Sequence, residues 1–277
     1  LFKFGKWVTG VSIMTFFILQ GDALFVSGYF GTAALAFYTM SIDMATTPAA
    51  KITSVIGTVA FPAFARLQEK RAEMVALFED SLRAIMLIAG PISIVIYAIV
   101  PDIVFHVIDE KWAPIIPLVR VLVVAGCLRA MVELGGPLFQ AVGRGDLDFR
   151  MNLTRFLCTM LLVWPACAYG GLKAVAVVAV LGIASGLPIW FYGVKKILGL
   201  SPWYIIKSNI LPCVCTATLG GTYALSRYAI NGSLLLDLAS SVVAIGLWIG
   251  IMALMGKLTP LSLFKEVQRL RHSLQAR

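Results

Sequence analysis

Apolar residues fill this chain in long blocks, each broken by a few polar, charged or glycine residues. A helix needs about 20 mostly apolar residues to cross a bilayer. The pattern predicts eight such spans, at 7–29, 33–57, 82–100, 115–139, 150–169, 172–192, 205–228 and 234–256. Strict apolar/polar alternation is absent, and the blocks are too long for the strands of a membrane barrel. The fold class that follows is all-α, a polytopic membrane helix bundle of about eight transmembrane helices. Two stretches depart from the pattern. Residues 63–81 mix charges with Phe64, Leu67, Met74, Leu77 and Phe78, and residues 257–277 carry Leu263, Phe264, Val267, Leu270 and Leu274 on one stripe. Both read as amphipathic segments along the cytoplasmic leaflet, the first with a solvated linker as its alternative. The tail begins with Thr259-Pro260, a cap and first-turn pair.

Composition supports lipid as the solvent. Of the 277 residues 60% are hydrophobic and 13% charged, with a mean hydropathy of +0.90. A net charge of +9 suits nucleic acid in a soluble protein, but here it has a better explanation. With the N-terminus cytoplasmic, seventeen Lys and Arg fall in inside segments, Arg144, Arg150 and Arg155 among them. Only Lys111, Lys173 and Arg227 fall outside. This positive-inside bias supports the span count and places both termini inside. Lys3 and Lys6 precede a first apolar run that is followed at once by another, which is unlike a cleavable leader. A chain beginning at Leu1 reads as a fragment or processed product. The cysteines Cys127, Cys158, Cys167, Cys213 and Cys215 lie in or beside apolar stretches without a metal or disulfide spacing. Pro48, Pro91, Pro137, Pro165, Pro188 and Pro212 each fall within one of six consecutive spans, as bends or as hinges.

The chemistry lies in the charges stranded inside spans. Lys51, Arg120 and Arg129 remain there, as do Asp22, Asp43, Glu133 and Asp237, the last near an outer span end. Each central charge costs about 2.5–3.5 kcal/mol on insertion scales, so such residues face a bundle interior or water. The cations are staggered in depth and form a candidate path for an anionic group such as a diphosphate. Asp22, Asp43 and Glu133 are candidates for ion coupling or for charge pairing. The structural alternative is that Arg129 and Glu133, spaced i,i+4, neutralise each other, that Asp43 and Lys51, two turns apart on roughly one stripe, offset each other, and that Arg120 snorkels outward. The remaining motifs carry no weight. Arg144-Gly145-Asp146 falls on the cytoplasmic side, as does the sequon at Asn152, and His106 and His272 lie on opposite sides of the membrane. No P-loop, metal site or cofactor site is expected.

The stretch from Phe4 to Gln68 resembles the start of the second half of a Wzx-type oligosaccharide flippase. Carrying the resemblance are Asp22, the turn from Gly28 to Gly31, Tyr38, and Phe61-Pro62 through Arg66-Leu67-Gln68. Glu110-Lys111-Trp112-Ala113-Pro114 and Gly136-Pro137 through Gly143-Arg144 continue it to about residue 150. The resemblance implies the multidrug/oligosaccharidyl-lipid/polysaccharide exporter superfamily, whose members have two six-helix lobes around a central cavity. In those terms residues 1–200 are the C-terminal lobe of a MATE-like fold. Residues 201–256 are two extra helices, 257–277 a basic cytoplasmic tail, and the N-terminal lobe is absent. The implied function is flipping an undecaprenyl-diphosphate-linked oligosaccharide across the bacterial inner membrane for exopolysaccharide or lipopolysaccharide synthesis. The implied partners are that lipid-linked substrate, membrane lipids, and a polysaccharide polymerase with its export machinery, but no nucleic acid. The alternatives are a drug/cation antiporter or peptidoglycan-precursor flippase of the same superfamily, a membrane-embedded transferase, and a non-transporting assembly partner. The outer loops are short for an enzyme.

Overall fold

The computed structural model describes residues 2–210, with 216–218, 220–221 and 246 beyond them. The rest of the expected seventh span, nearly all of the eighth and the basic tail lie outside the described residues. So do Pro212, Cys213, Cys215, Asp237 and His272. The described residues are helical, without a strand among them.

Among the described residues, four continuous helical stretches are long and apolar enough to cross a bilayer: Met14–Arg66, Arg71–Ile108, Ile115–Ala141 and Gly145–Leu198. The first belongs to helix α1 (Phe2–Arg66), whose 65 residues would measure roughly 98 Å if straight, three times the hydrocarbon thickness. It does not run straight. Gly31 sits at φ 79°, ψ 179°, a backbone region open essentially to glycine alone. There the chain reverses, because the Tyr38 hydroxyl donates to Asp22 Oδ2 at 2.6 Å across sixteen residues of sequence. Halves 2–30 and 32–66 are therefore two crossings. The 54-residue stretch folds in the same way. Helix α5 (Gly145–Pro165) ends in a π-helical turn, Ala166–Gly170, and Gly171 (φ 67°, ψ −171°) starts α6 (Gly171–Ser185). A Cβ at Gly182 would stand 2.2 Å from Thr159 Oγ1, so α6 lies back along α5. Among the described residues six crossings result, matching the first six expected from the sequence.

The remaining crossings are α2 (Arg71–Ile103) and the pair α3 (Ile115–Glu133) and α4 (Gly135–Ala141). Span four breaks at Leu134, just before Gly135-Gly136-Pro137. Span six breaks at Gly186, between α6 and α7 (Leu187–Leu198), whose first turn holds Pro188. Proline lacks the N–H needed to continue a preceding helix but suits a first turn. At the end bearing the Gly31 and Gly171 turns, Phe37 meets Trp112 edge-on at 5.4 Å, and Val26, Tyr38, Val163 and Val175 are packed together. Asp109 closes the turn before Trp112. It accepts the Lys111 backbone N–H at 3.0 Å, and this bond holds its carboxyl below the usual range.

At the other end Phe64, Phe78 and Trp190 stack in sequence at 6.5 and 5.9 Å over Leu82, Ile85 and Phe139. Gln68 Nε2 donates to the Ala141 carbonyl, tying the turn after α1 to the end of α4. The segment 63–81 is therefore not a separate amphipathic helix. Its apolar residues Phe64, Met74, Leu77 and Phe78 are buried where span two ends and span three begins. This end carries Arg66, Lys70, Arg71, Arg144, Lys195 and Lys196, close to α8 (Pro202–Ser208), which Ser201 caps. Arg144 is bonded through two nitrogens to Asp146, at 2.8 and 3.0 Å.

Candidate functional site

Midway between the two ends, α3 crosses the second half of α1 closely. A Cβ on Gly126 would come within 2.5 Å of the Ala45 carbonyl oxygen, so only glycine allows this approach. One turn further along, Arg129 Nε donates to Glu133 Oε1 at 2.5 Å. The i,i+4 pair expected from the sequence is thus made. Around it lie two cavities, of about 70 and 170 Å³, which share Ile18, Arg129 and Arg155 as a common wall. Asp22, Thr46 and Thr159 are on the smaller. Glu133, Asp148, Asn152 and Thr15 are on the larger.

Asp22 is buried and satisfied. It takes the Tyr38 hydroxyl on one oxygen and the Ala23 backbone N–H, at 2.8 Å, on the other. Asp148 takes Gln140 Nε2 at 2.8 Å on Oδ2 and Asn152 Nδ2 at 3.0 Å on Oδ1. Arg155 reaches Asn152 Oδ1 at 3.3 Å through Nη1. Its Nε–H has no hydrogen-bond partner among the described residues, although Arg155 is only 8% exposed. Gly186 makes room for it: a Cβ there would lie 3.0 Å from Arg155 Cγ and Cδ.

The expected site residues thus divide. Arg129, Glu133 and Asp22 meet around the interior cavities. Arg120 is exposed, with its guanidinium 5.2 Å from the centre of the Tyr97 ring on α2, a cation–π placement. Asp43 and Lys51 point away from the bundle, and neither forms an ion pair with a described residue. They stand on a stripe of exposed small or polar side chains on the second half of α1: Thr39, Asp43, Thr47, Lys51, Ser54 and Thr58, with Val55 beside it. The spacing of three or four residues puts these on one helix face. The exposed face of α5 and α6 is different, showing Leu157, Leu161, Trp164, Val177 and Leu181.

Arg155 is a correction to the sequence reading, which counted it with the cytoplasmic basic residues. It stands inside the bundle, and so does the sequon residue Asn152. The signal that finds them is Asp148, Asn152, Arg155 and Thr159, spaced i, i+4, i+7 and i+11. That is one polar stripe on an otherwise apolar helix.

Comparison with known proteins places these features in context. Residues 1–117 match the family model described as polysaccharide biosynthesis protein. The chain is 30% identical to the lipopolysaccharide biosynthesis protein WzxC of Escherichia coli, over 80% of this chain and 46% of that protein. It is 26% identical to the teichuronic acid biosynthesis protein TuaB of Bacillus subtilis, over 79% of this chain and 45% of TuaB. With the amylovoran biosynthesis protein AmsL of Erwinia amylovora it shares 26% identity over 60% of this chain and 44% of AmsL. The chain spans less than half the length of these curated relatives. No solved structure matches it. This multi-pass all-helical bundle, with a family match through its first three crossings and relatives aligned along most of its length, is similar to the polysaccharide biosynthesis membrane proteins of the WzxC and TuaB kind.

Proposed function

We propose that this chain is the C-terminal lobe, with the start of the following helices, of a flippase that moves lipid-linked oligosaccharide repeat units across the bacterial inner membrane. The observation that carries this reading is the stripe from Thr39 to Thr58. An aspartate and a lysine on a membrane crossing do not face hydrocarbon, where either costs several kcal/mol. The greasy face of α5 and α6 is the lipid side, and the stripe borders a wet cleft. A second lobe, supplied by the half of the relatives' length outside this chain, forms the other wall of that cleft. Lys51 meets the diphosphate or acidic sugars of the head group as it passes, while the lipid tail stays in the bilayer. Arg120 lies nearer the outer face and Arg129 inside the lobe, so the cations act from different surfaces. Asp43 on the stripe and Asp22 beside the interior cavity are the groups for coupling to a proton or sodium gradient. The basic end of the bundle is cytoplasmic by the positive-inside rule, and both termini lie with it. The relatives' names, which span lipopolysaccharide, teichuronic acid and amylovoran biosynthesis, support a saccharide polymer as the end product. Polysaccharide polymerase and export machinery are the partners that follow.

The test is Lys51→Gln in the full-length protein, with polymer export and membrane insertion measured together. The expected result is lost export with normal insertion. Normal export from this variant would sink the role given to Lys51.

A further inference from the structure

We propose that the exposed face of the first half of α1, at Phe16 and Gln20, is a saccharide subsite: the Gln20 amide bonds sugar hydroxyls and the Phe16 ring stacks on a pyranose. This rests on the transport reading and names what the head group meets beyond Lys51.

Gln20 lies eleven residues before the Gly31 turn. At 1.5 Å per residue that is about 16 Å, near the middle of a hydrocarbon layer about 30 Å thick. So short a side chain reaches neither interface from there. It is exposed, and its amide makes no hydrogen bond with a described residue. An amide left unpaired in hydrocarbon is strongly unfavourable, so this face does not border lipid. Periodicity shows which surface it joins. Ile18 and Asp22 line the smaller interior cavity together with Ile42 and Thr46. Gln20, two residues from Ile18 and from Asp22, points to the far side of its helix. On the second half of α1, Asp43, Thr47 and Lys51 likewise turn outward. Helix α5 covers one flank of the first half. Phe17 meets Phe156 at 5.9 Å, and a Cβ on Gly21 would stand 2.7 Å from Met160 Cε. The Tyr38–Asp22 bond holds the second half against the other flank. The open face at Phe16 and Gln20 therefore continues the polar stripe.

The chemistry of the pair fits a sugar. Neither side chain is charged, so neither selects a phosphate. An amide offers two donors and an acceptor oxygen, which match neighbouring hydroxyls. Phe16, one turn from Gln20, is 62% exposed, and its ring stands edge-on to Phe17 at 5.7 Å. A pyranose presents a face of polarised C–H groups, which settle on the negative face of an aromatic ring. Depth fits the same substrate. Lys51 is about 30 Å from the Gly31 turn along its helix, Phe16 about 22 Å and Gln20 about 16 Å. A head group with its diphosphate at Lys51 extends its sugars past Phe16 and then Gln20.

The experiment measures binding of two probes to the purified full-length protein: undecaprenyl diphosphate, and the lipid-linked oligosaccharide extracted from cells making the polymer. Wild type is expected to bind the second more tightly. Gln20→Ala and Phe16→Leu should each reduce that preference about three- to tenfold, the worth of one net contact. Both should bind undecaprenyl diphosphate as wild type does. Phe16→Trp, which keeps a ring, and Leu161→Ala, on the greasy face of α5, should keep the preference. Lys51→Gln should weaken both probes alike. A preference that survives Gln20→Ala or Phe16→Leu overturns the subsite and leaves the transport reading standing, as does a wild type that binds both probes equally. Equal loss of both probes in these two variants assigns the face to contact with the other lobe and also overturns it. A wild type that binds neither probe overturns the transport reading, and the subsite with it.

Discussion

At the scale of single residues, a carboxylate buried in an apolar crossing is kept by what it can accept. Asp22 is tolerated because Tyr38, carried back beside it by the Gly31 turn, gives it a charge-assisted bond of 2.6 Å. Tyr38→Phe removes that donor and leaves the ring packing intact. The expected loss is about 1–2 kcal/mol, the upper part of the range for hydrogen bonds between membrane helices. Denaturant titration in mixed micelles reads it directly, and an unchanged midpoint would show that Asp22 is held by something else. Sequence spacing made the Arg129–Glu133 pair legible, because i,i+4 neighbours on a helix must meet. It did not reveal the Tyr38–Asp22 bond, which depends on where the chain reverses. Arg155 was hidden for a different reason. Its place near a basic span end made it look like one more interfacial charge, and only the polar register of α5 tells otherwise.

At the scale of elements, two glycines turn long helices into hairpins. Gly31 and Gly171 share a backbone conformation that side-chain-bearing residues scarcely adopt. Alanine at either position should cost about 1–3 kcal/mol, against little change or a small gain for Gly28→Ala. Gly28 is helical and nothing lies within 4 Å of its would-be Cβ, so it is the internal control. A thermal unfolding series of the three variants checks the ranking. If Gly28→Ala proved as damaging as Gly31→Ala, the conformational argument would fall. Gly126 acts through space instead. Its Cβ would collide with the Ala45 carbonyl, so Gly126→Ala must push α3 away from α1, at about 1–3 kcal/mol for overpacking. The sequence made the turns legible as gaps between apolar runs. It could not separate the amphipathic look of 63–81 from an ordinary turn between two crossings. Mixed charges and apolar residues fit either, and the burial of Phe64 and Phe78 decides.

At the scale of the whole molecule, the two faces of the bundle make opposite demands on their surroundings. Leu161 is 75% exposed on α5, and lipid suits it without further explanation. On α1 the stripe through Thr47 and Ser54 flanks Lys51 and Asp43, which need water or protein. The contrast predicts a pattern of chemical accessibility in the full-length, membrane-embedded protein, made free of its native cysteines. Thr39→Cys, Thr47→Cys and Ser54→Cys should react with a small charged maleimide. Leu157→Cys, Leu161→Cys and Leu181→Cys should not, because their thiols face hydrocarbon and lack the water in which a thiolate forms and the reagent dissolves. The difference should be on the order of tenfold in rate or more, since thiolate formation and reagent access both favour the stripe. Labelling measured in intact cells and in inverted vesicles then reports which side the proposed cleft opens to. Uniform protection of both faces would mean that the stripe is sealed against another protein surface without a cleft. Uniform reactivity would mean that α5 and α6 do not face lipid. Either result would undo the assignment of Lys51 to a passage for an anionic head group.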